Sequence, residues 1–306
     1  MIETDKKWGL VLAGGGGKGA YQVGVMRAIR EKLPGIDIAA ISGSSVGSLN
    51  MVLFQQEDQI LSEEIWSNIT PGQFLHTELH MFDFKDGIMT RDGLLSIIDN
   101  KINLDKITHS HRTLYATVSK YTSEDSMLAQ AEYLKLNGCS KDKIKDILLA
   151  SSAIPYIYES VVIDGVKYRD GGLADNLPIE PLYDMGIRNM IVIALSPDTI
   201  LKEHRFPGTE FMYIKPGRSL GDIFGGTLDF SGYNAAVRMK MGYLDGIREI
   251  EFYGKDENDA EFQIIKQERQ RLEYEQFSLE NRVSNIQNGI NRNMDNILKY
   301  LKSYVP

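Results

Sequence analysis

The 306-residue chain carries 34 Lys and Arg against 42 Asp and Glu, which gives a formal net charge of −8. Because nucleic-acid-binding proteins usually present a basic face, this balance argues against that class. A single cysteine, Cys139, cannot form an intrachain disulfide and fits a reducing compartment, and no apolar run is long enough to cross a bilayer. We therefore expect a soluble, cytoplasmic protein, which can still work peripherally at a membrane.

The first elements predicted along the chain are short apolar runs that alternate with amphipathic segments. Residues 8–14 predict a buried strand ended by glycines, and residues 18–33 have helical spacing up to Pro34. A second strand at 36–43 and a second helix at 46–55 follow. Further strands are predicted at 114–119, 127–134, 160–163, 167–169 and 189–195, and a further helix at 141–151. This alternation predicts an α/β fold, a three-layer sandwich with a central, mostly parallel sheet and helices on both faces.

The segment from Pro71 to Arg91 departs from this rhythm, because apolar and aromatic residues are scattered among polar ones. Two interpretations stay open. The segment is an apolar flap over a site, or it is a loop packed on the core, as clusters of methionine and aromatic residues usually are.

The composition changes at Lys255, where a charge-dense stretch begins. From Leu279 to Tyr304, apolar residues recur at steps of three and four, which predicts one apolar stripe on a helix. We expect two domains, residues 1–254 and a helical C-terminal appendage over 255–306, the latter built as a hairpin of two helices. The stripe has three possible partners, which are the main domain, a second copy of the chain in a homodimer, and a membrane.

A glycine-rich loop, Gly14–Gly19, connects the first strand to the first helix and reads Gly-Gly-Gly-Gly-Lys-Gly. Such a loop aims backbone amides at negative charge, which can belong to a dinucleotide, a nucleotide phosphate or a transient oxyanion. A dinucleotide site expects an acidic residue near the end of the second strand, but Asp37 lies at its start. A P-loop expects Ser or Thr after Lys18, where this chain has Gly19. The oxyanion interpretation remains.

The candidate nucleophile is Ser45, the centre of a Gly43-Ser44-Ser45-Val46-Gly47 pentapeptide between a predicted strand and a predicted helix. Glycines at both ends of the pentapeptide permit the sharp turn that exposes a nucleophilic serine. The helix that follows points the positive end of its dipole at the same place. The pentapeptide therefore has the strand-turn-helix context that this motif requires.

A serine hydroxyl needs a base, and the usual choice is histidine. The five histidines, His76, His80, His109, His111 and His204, are more typical of surface or loop positions. The first two are four residues apart but have no evident third ligand, so we expect no metal. Asp170 follows a predicted strand and precedes Gly171 and Gly172, where its carboxylate could approach Ser45. A plain Asp-Gly turn is the alternative.

Three motifs in this order, Gly14–Gly19, Gly43–Gly47 and Asp170–Gly172, resemble the patatin-like phospholipase family, as does the Ala-Ser-Ser-Ala-Ile-Pro segment at 150–155. The resemblance covers roughly residues 7–250 and implies a lipid acyl hydrolase with a Ser/Asp dyad and no cofactor or metal. It implies that Ser45 is the nucleophile, Asp170 the base, and the amides of Gly15, Gly16 and Gly17 the oxyanion hole. The supporting positions that it implies are Gly14, Lys18, Gly19, Gly43, Gly47, Gly171 and Gly172.

The substrates that the resemblance implies are fatty-acyl esters of phospholipids or lysophospholipids, met at a transient membrane surface. Two apolar segments, Pro71–Arg91 and residues 220–233, could line an acyl channel or simply pack. Two other functions stay open. In the first, the chain is a nucleotide-binding module that uses the glycine loop as a phosphate cradle. In the second, it is a membrane adaptor with a vestigial dyad, and the C-terminal helix supplies the function.

Overall fold

The computed structural model of the chain describes residues 6–69, 91–121, 129–155, 157–255 and 259–302. Its strands are β1 (Lys7–Leu12), β2 (Asp37–Ser44), β3 (Thr113–Tyr121), β4 (Ala129–Lys135), β5 (Val161–Ile163), β6 (Val166–Asp170), β7 (Asn189–Ile193) and β8 (Glu210–Ile214). Within the described residues these eight strands form one sheet in the order β5-β6-β3-β2-β1-β7-β8, and β4 pairs with β3 outside that path.

The central strands of the sheet run parallel, from β3 through β2, β1 and β7 to β8. The other three, β4, β5 and β6, pair antiparallel with their neighbours. The α-helices described before residue 255 are α1 (Ala20–Lys32), α2 (Val46–Gln55), α3 (Gln59–Asn68), α4 (Asp92–Lys101), α5 (Asp105–Thr108), α6 (Lys141–Ser151), α7 (Glu180–Asp184) and α8 (Gly232–Phe252). The predicted α/β fold, a mostly parallel sheet flanked by helices, is confirmed.

The sheet is buried because its central strands carry almost continuous apolar runs, as parallel strands covered on both faces do. In β7, Met190 and Val192 are fully buried, and they pack in one cluster with Val11 of β1 and Leu182 of α7. Helices α1 and α8 pack against each other, and the Tyr21 hydroxyl donates to Asp245 Oδ2 at 2.9 Å between them. The sequence patterns did not predict α8 or β8.

The position of β1 defines where a ligand is expected. β1 lies between β2 and β7, and it is parallel to both. In open α/β sheets, ligands bind at the carboxyl ends of the strands where the strand order reverses, because the loops there diverge and leave a crevice. Here the glycine loop follows β1 and Ser45 follows β2, so both predicted motifs lie at this crevice.

The register of β3 brings the third motif to the same place. Ser44, the last residue of β2, pairs with Thr117 of β3, and the next β3 residue, Val118, pairs with Asp170 at the end of β6. Two strand pairings therefore place Ser45 and Asp170 side by side, although 125 residues separate them in the chain.

The chain divides into two compact units, Met1–Gly254 and Lys255–Pro306. In the second unit, residues 260–302 form one continuous helix, α9 (Ala260–Lys302), so the prediction of a two-helix hairpin was wrong. A lone glycine such as Gly289 costs a helix only about 1 kcal/mol, and the segment contains no proline to stop it. Ion pairs one helical turn apart, such as Arg269–Glu273 and Arg271–Glu275, also favour the helix. The structure describes the side chain of Leu279 but not those of the later apolar residues in the predicted stripe.

Candidate active site

Ser45 occupies a strained turn between β2 and α2. Its backbone φ is 53° and ψ is −125°, a combination that a non-glycine residue rarely adopts. The turn is tight enough that a Cβ on Gly47 would overlap the carbonyl oxygen of Leu12, so only glycine fits there. This conformation lifts the Ser45 side chain out of the strand direction and aims it at the crevice, as the pentapeptide predicts.

The hydroxyl of Ser45 donates a hydrogen bond to Asp170 Oδ2 at 2.7 Å. The other carboxylate oxygen, Oδ1, accepts from the backbone amide of Gly172 at 2.8 Å. Both Ser45 and Asp170 are 5% exposed. Burial raises the pKa of Asp170 from 3.8 to about 6, against the opposing effect of the hydrogen bonds from Ser45 and Gly172. A carboxylate with this pKa is a far better proton acceptor near neutral pH than an ordinary aspartate.

A network of buried hydroxyls holds this pair in place. The Ser45 amide donates to Ser151 Oγ at 3.1 Å, and Ser151 Oγ lies 2.8 Å from Ser48 Oγ, which donates to the Gly43 carbonyl. Ser119 Oγ donates to the Asp170 carbonyl at 2.7 Å. No role was predicted for Ser48, Ser119 or Ser151. A lone serine carries no sequence signal that distinguishes a hydroxyl that positions catalytic groups from an ordinary buried hydroxyl.

The glycine loop lies beside Ser45 and keeps several amides free. Within the described residues, no hydrogen bond from the backbone amides of Gly15, Gly16 or Gly17 to another protein group is present, whereas the Gly14 amide donates to the Asn176 carbonyl at 3.4 Å. Gly16 has a φ of 57°, which favours glycine. The loop therefore offers unused donors next to the hydroxyl that Asp170 faces, which is the arrangement that an oxyanion hole needs.

The remaining supporting positions predicted from the sequence lie around this centre. Gly19 packs against Val46 and Trp66, where a side chain would collide with both. A Cβ on Gly171 would overlap the Thr117 carbonyl oxygen. The side chain of Lys18 is partly buried, and burial together with the charge of a neighbouring arginine lowers its pKa against the opposing effect of a neighbouring carboxylate.

Two cavities of different character meet at Ser45. The first has a volume of about 90 Å³ and is almost entirely apolar, with walls that include Leu49, Leu53, Trp66, Leu94, Ile98 and Phe230. The second has a volume of about 340 Å³ and contains Asp170 and the glycine loop, with Lys18, Asn176, Ser196 and Thr227 among its walls. Of the two predicted apolar segments, residues 220–233 contribute to both cavities, and residues 70–90 lie outside the described residues.

The histidines do not contribute to this centre where the structure describes them. His109, His111 and His204 are all exposed, and neither cavity has one of them in its walls. His76 and His80 lie outside the described residues. Among the described residues, no three His, Cys, Asp or Glu side chains come together in a way that could hold a metal ion.

Comparison with known proteins identifies the family. Residues 10–183, more than half of the chain, match the family model described as patatin-like phospholipase. The chain belongs to this family. The resemblance noted in the sequence is thereby confirmed, and the match contains both the Gly14–Gly19 loop and the motifs around Ser45 and Asp170.

Several relatives of this patatin-like phospholipase domain are 24% to 30% identical to it over the aligned residues. A lysophospholipase named NTE1 from Cryptococcus neoformans is 30% identical over 60% of this chain, which covers 11% of that protein. The neuropathy target esterase sws of Drosophila melanogaster is 24% identical over 62% of this chain and 13% of its own length. The human 1-acylglycerol-3-phosphate O-acyltransferase PNPLA3 is 25% identical over 58% of this chain and 36% of its own. The chain thus spans about a tenth to a third of these relatives.

A solved structure also resembles the chain. The crystal structure of VipD from Legionella pneumophila aligns with a TM-score of 0.42 and 13% identity over 82% of this chain and 67% of that one. In the part of the chain that the structure describes, no helix combines the length and the apolarity that crossing a membrane requires.

Proposed function

We propose that the chain is a serine acyl hydrolase that cleaves fatty-acyl esters of phospholipids or lysophospholipids. The observation that carries this proposal is the 2.7 Å hydrogen bond from Ser45 Oγ to the buried Asp170 carboxylate, located where an apolar and a polar cavity meet. Membership of the patatin-like phospholipase family, with relatives described as lysophospholipases, supports a lipid ester hydrolase.

The proposed reaction has two steps. Ser45 Oγ attacks the ester carbonyl carbon while its proton passes to Asp170 Oδ2, and the carbonyl oxygen becomes an oxyanion. Collapse of this intermediate expels the alcohol, which takes the proton from Asp170, and leaves an acyl-enzyme. A water molecule then attacks the acyl carbon, again giving a proton to Asp170, and the fatty acid leaves as Ser45 recovers its proton.

The free amides of the glycine loop stabilise the oxyanion in both steps. Each such donor is typically worth about 10²- to 10³-fold in rate, because it is already oriented and meets its full charge only in the transition state. The Gly15, Gly16 and Gly17 amides are the candidates, since they donate no hydrogen bond to the described residues. Gly15 and Gly16 also line the polar cavity.

The two cavities match the two halves of a lipid ester. An acyl chain suits the apolar cavity, where Trp66 and Phe230 stack with ring centroids 6.3 Å apart. The alcohol half with its headgroup suits the polar cavity, whose walls carry Lys18 and Asn176. A water-excluding apolar wall also maintains the raised pKa of Asp170, because a solvated carboxylate would return toward its ordinary value.

One experiment tests nucleophile and substrate class together. The purified protein is treated with a fluorophosphonate probe, and the labelled residue is located by mass spectrometry. Treated and untreated protein are then incubated with phospholipid and lysophospholipid vesicles for product analysis. We expect the label on Ser45 and release of fatty acid that the probe abolishes. Labelling elsewhere, or no fatty acid from either lipid, would contradict the proposal.

Leu94→Trp is expected to shorten the acyl chains that the enzyme accepts. The larger tryptophan side chain fills part of the apolar cavity. We therefore expect kcat/KM for long-chain nitrophenyl esters to fall about tenfold or more, while kcat/KM for acetate and butyrate esters stays close to wild type. The measurement is a chain-length series of esters. Leu95→Trp is the matched control, because Leu95 lies on the same helix, α4, but outside the cavity walls. An unchanged chain-length profile would reject this cavity as the acyl site.

Asp170→Asn is expected to stabilise the fold at neutral pH. The native carboxyl has a pKa of about 6 against 3.8 in its ordinary state, so the native protein binds this proton more tightly than the unfolded chain does. Stability therefore falls as pH rises from about 4 to 6, and the loss, on the order of 2–3 kcal/mol, persists above pH 6. A neutral amide avoids this loss. Urea unfolding of both proteins should give a difference that grows between pH 4 and 6, whereas a difference independent of pH would contradict it.

A further inference from the structure

A buried arginine on α8 contacts the glycine loop from behind. Arg238 is 4% exposed, and it lies well beyond residues 10–183, the part of the chain that the family model matches. Its Nη1 donates to the carbonyl oxygens of Gly17 at 3.1 Å and Asp229 at 2.8 Å. Its Nη2 donates to the Gly225 carbonyl at 2.8 Å and to Asp229 Oδ2 at 2.9 Å. All four terminal N–H groups of the guanidinium are therefore used, three of them on backbone carbonyls.

Residues 225–229, whose ends accept hydrogen bonds from Arg238, pack directly on the glycine loop. A Cβ on Gly16 would overlap the Thr227 carbonyl oxygen, and a Cβ on Gly17 would overlap that of Asp229. Thr227 belongs to the walls of the polar cavity. Arg238 thus links the glycine loop to residues 225–229, and Thr227 within that segment lines the polar cavity.

The loop needs such an anchor for a physical reason. Four consecutive glycines have more backbone freedom to lose than any other residues, so the free loop samples many orientations of its amides. An oxyanion hole works only if its donors are oriented before the charge appears. A charge-assisted hydrogen bond to the Gly17 carbonyl fixes the Gly17–Lys18 peptide plane within the loop, and charge-assisted bonds are about twice as strong as neutral ones.

We propose that Arg238 is a positioning residue that holds the Gly14–Gly19 loop in the orientation required for oxyanion stabilisation. The inference rests on the proposed function, since it assigns a role in the same reaction. Arg238 acts through the loop and does not touch the reacting atoms. Because the oxyanion forms only in the transition state, loss of the anchor should lower kcat and leave KM nearly unchanged.

The test compares Arg238→Met and Arg238→Lys with wild type on a short-chain nitrophenyl ester. Methionine fills much of the volume but donates nothing, so we expect kcat to fall about 10²-fold with KM within about threefold, since small misplacement of catalytic groups costs about that much. Lysine keeps the charge opposite Asp229 but has one nitrogen, so it should restore part of kcat. The midpoint of the pH–rate profile should stay at its wild-type value, because the Asp170 pair is untouched.

Arg188→Met is the matched control. Arg188 Nη1 also donates to two backbone carbonyls, those of Tyr183 and Ile187, but it lies just before β7, at the opposite end of the strand from the site. The Arg188→Met variant should be less stable than wild type but keep the same kcat per folded molecule. If Arg238→Met does not fold, Arg238→Lys decides alone. An about tenfold lower kcat at an unchanged melting temperature then supports the role, because one lysine nitrogen cannot replace all the hydrogen bonds of the guanidinium.

Two results would overturn the role of Arg238. One is wild-type kcat in each Arg238 variant that folds, and the other is an equal loss of kcat in Arg188→Met. Failure of the proposed function itself looks different, because Ser45→Ala would then hydrolyse the same ester as fast as wild type.

Discussion

Replacing Ser45 by alanine is expected to lower kcat for ester hydrolysis by about 10⁴-fold or more, since removal of a serine nucleophile in comparable enzymes costs at least that much. The hydroxyl that donates to Asp170 at 2.7 Å is lost. Among the described residues, the other two that line both cavities are Gly16 and Ile154, and neither has a nucleophilic side chain. The measurement is steady-state hydrolysis of a nitrophenyl ester and of a lysophospholipid, together with labelling by the fluorophosphonate probe.

The adjacent residue provides a closely matched control. Ser44 is fully buried, and its Oγ makes no hydrogen bond to the described residues. Ser44→Ala removes the same atoms one position earlier, so kcat should remain within about threefold of wild type, as expected when no paired hydroxyl is lost. If Ser45→Ala and Ser44→Ala retained equal activity, the assignment of the nucleophile would be wrong.

Asp170→Asn is expected to lower kcat by about 10³- to 10⁴-fold, as loss of the carboxylate partner does in other serine hydrolases. An amide cannot accept the Ser45 proton, although it fills the same space. The same carboxylate should control the pH dependence of the wild-type enzyme. Because the base must be ionised, kcat/KM should rise about tenfold per pH unit below its pKa of about 6 and level off above it.

The pH profile distinguishes the base from a structural carboxylate. In Asp170→Asn, the residual rate should lose the inflection near pH 6. Asp175→Asn is the matched control, because the Asp175 carboxylate accepts from the Tyr133 hydroxyl and the Leu177 amide and does not contact Ser45. That variant should keep both rate and inflection. An inflection near pH 6 that survives in Asp170→Asn would assign the titration to another group.

The predictions for Ser45→Ala and Asp170→Asn and the role of Arg238 all concern stabilisation of the same transition state. In the proposed mechanism, Asp170 accepts the Ser45 proton, the loop amides stabilise the oxyanion, and Arg238 orients the loop. Their losses should therefore be far from additive when combined, since residues that act as one unit do not contribute independently.

Much of the fold could be predicted from local patterns. The helix predicted at 141–151 is present with the same bounds, and Ser140 caps it by accepting from the Lys143 amide at 3.3 Å. The strand that ends before Ser45 and the helix that follows it are also present. These elements are predictable because periodicity, turn glycines and caps act over a few residues. β8 escaped prediction because it is five residues long and partly exposed, so its pattern is weak.

The C-terminal region shows the opposite case. Its apolar stripe and dense charge predict helix, and the described residues are helical from Ala260 to Lys302. The hairpin was wrong because Gly289 and its asparagine neighbours weaken a helix without breaking it, and only a packing partner or a proline would impose a turn. Local propensity therefore identified the helix, while the turn was inferred from residues that weaken a helix without ending it.

The sequence by itself determined the α/β class, the family, the glycine loop and the serine turn, because each depends on residues close together in the chain. For Ser45 and Asp170, the sequence offered the dyad only as what the resemblance implies, and the tertiary structure brings the two side chains together through the pairing of β3 with both β2 and β6. Only the tertiary structure placed Arg238 behind the loop and opened two cavities at the serine. These features join residues far apart in sequence, and burial, which also sets the pKa of Asp170, exists only once the chain has packed.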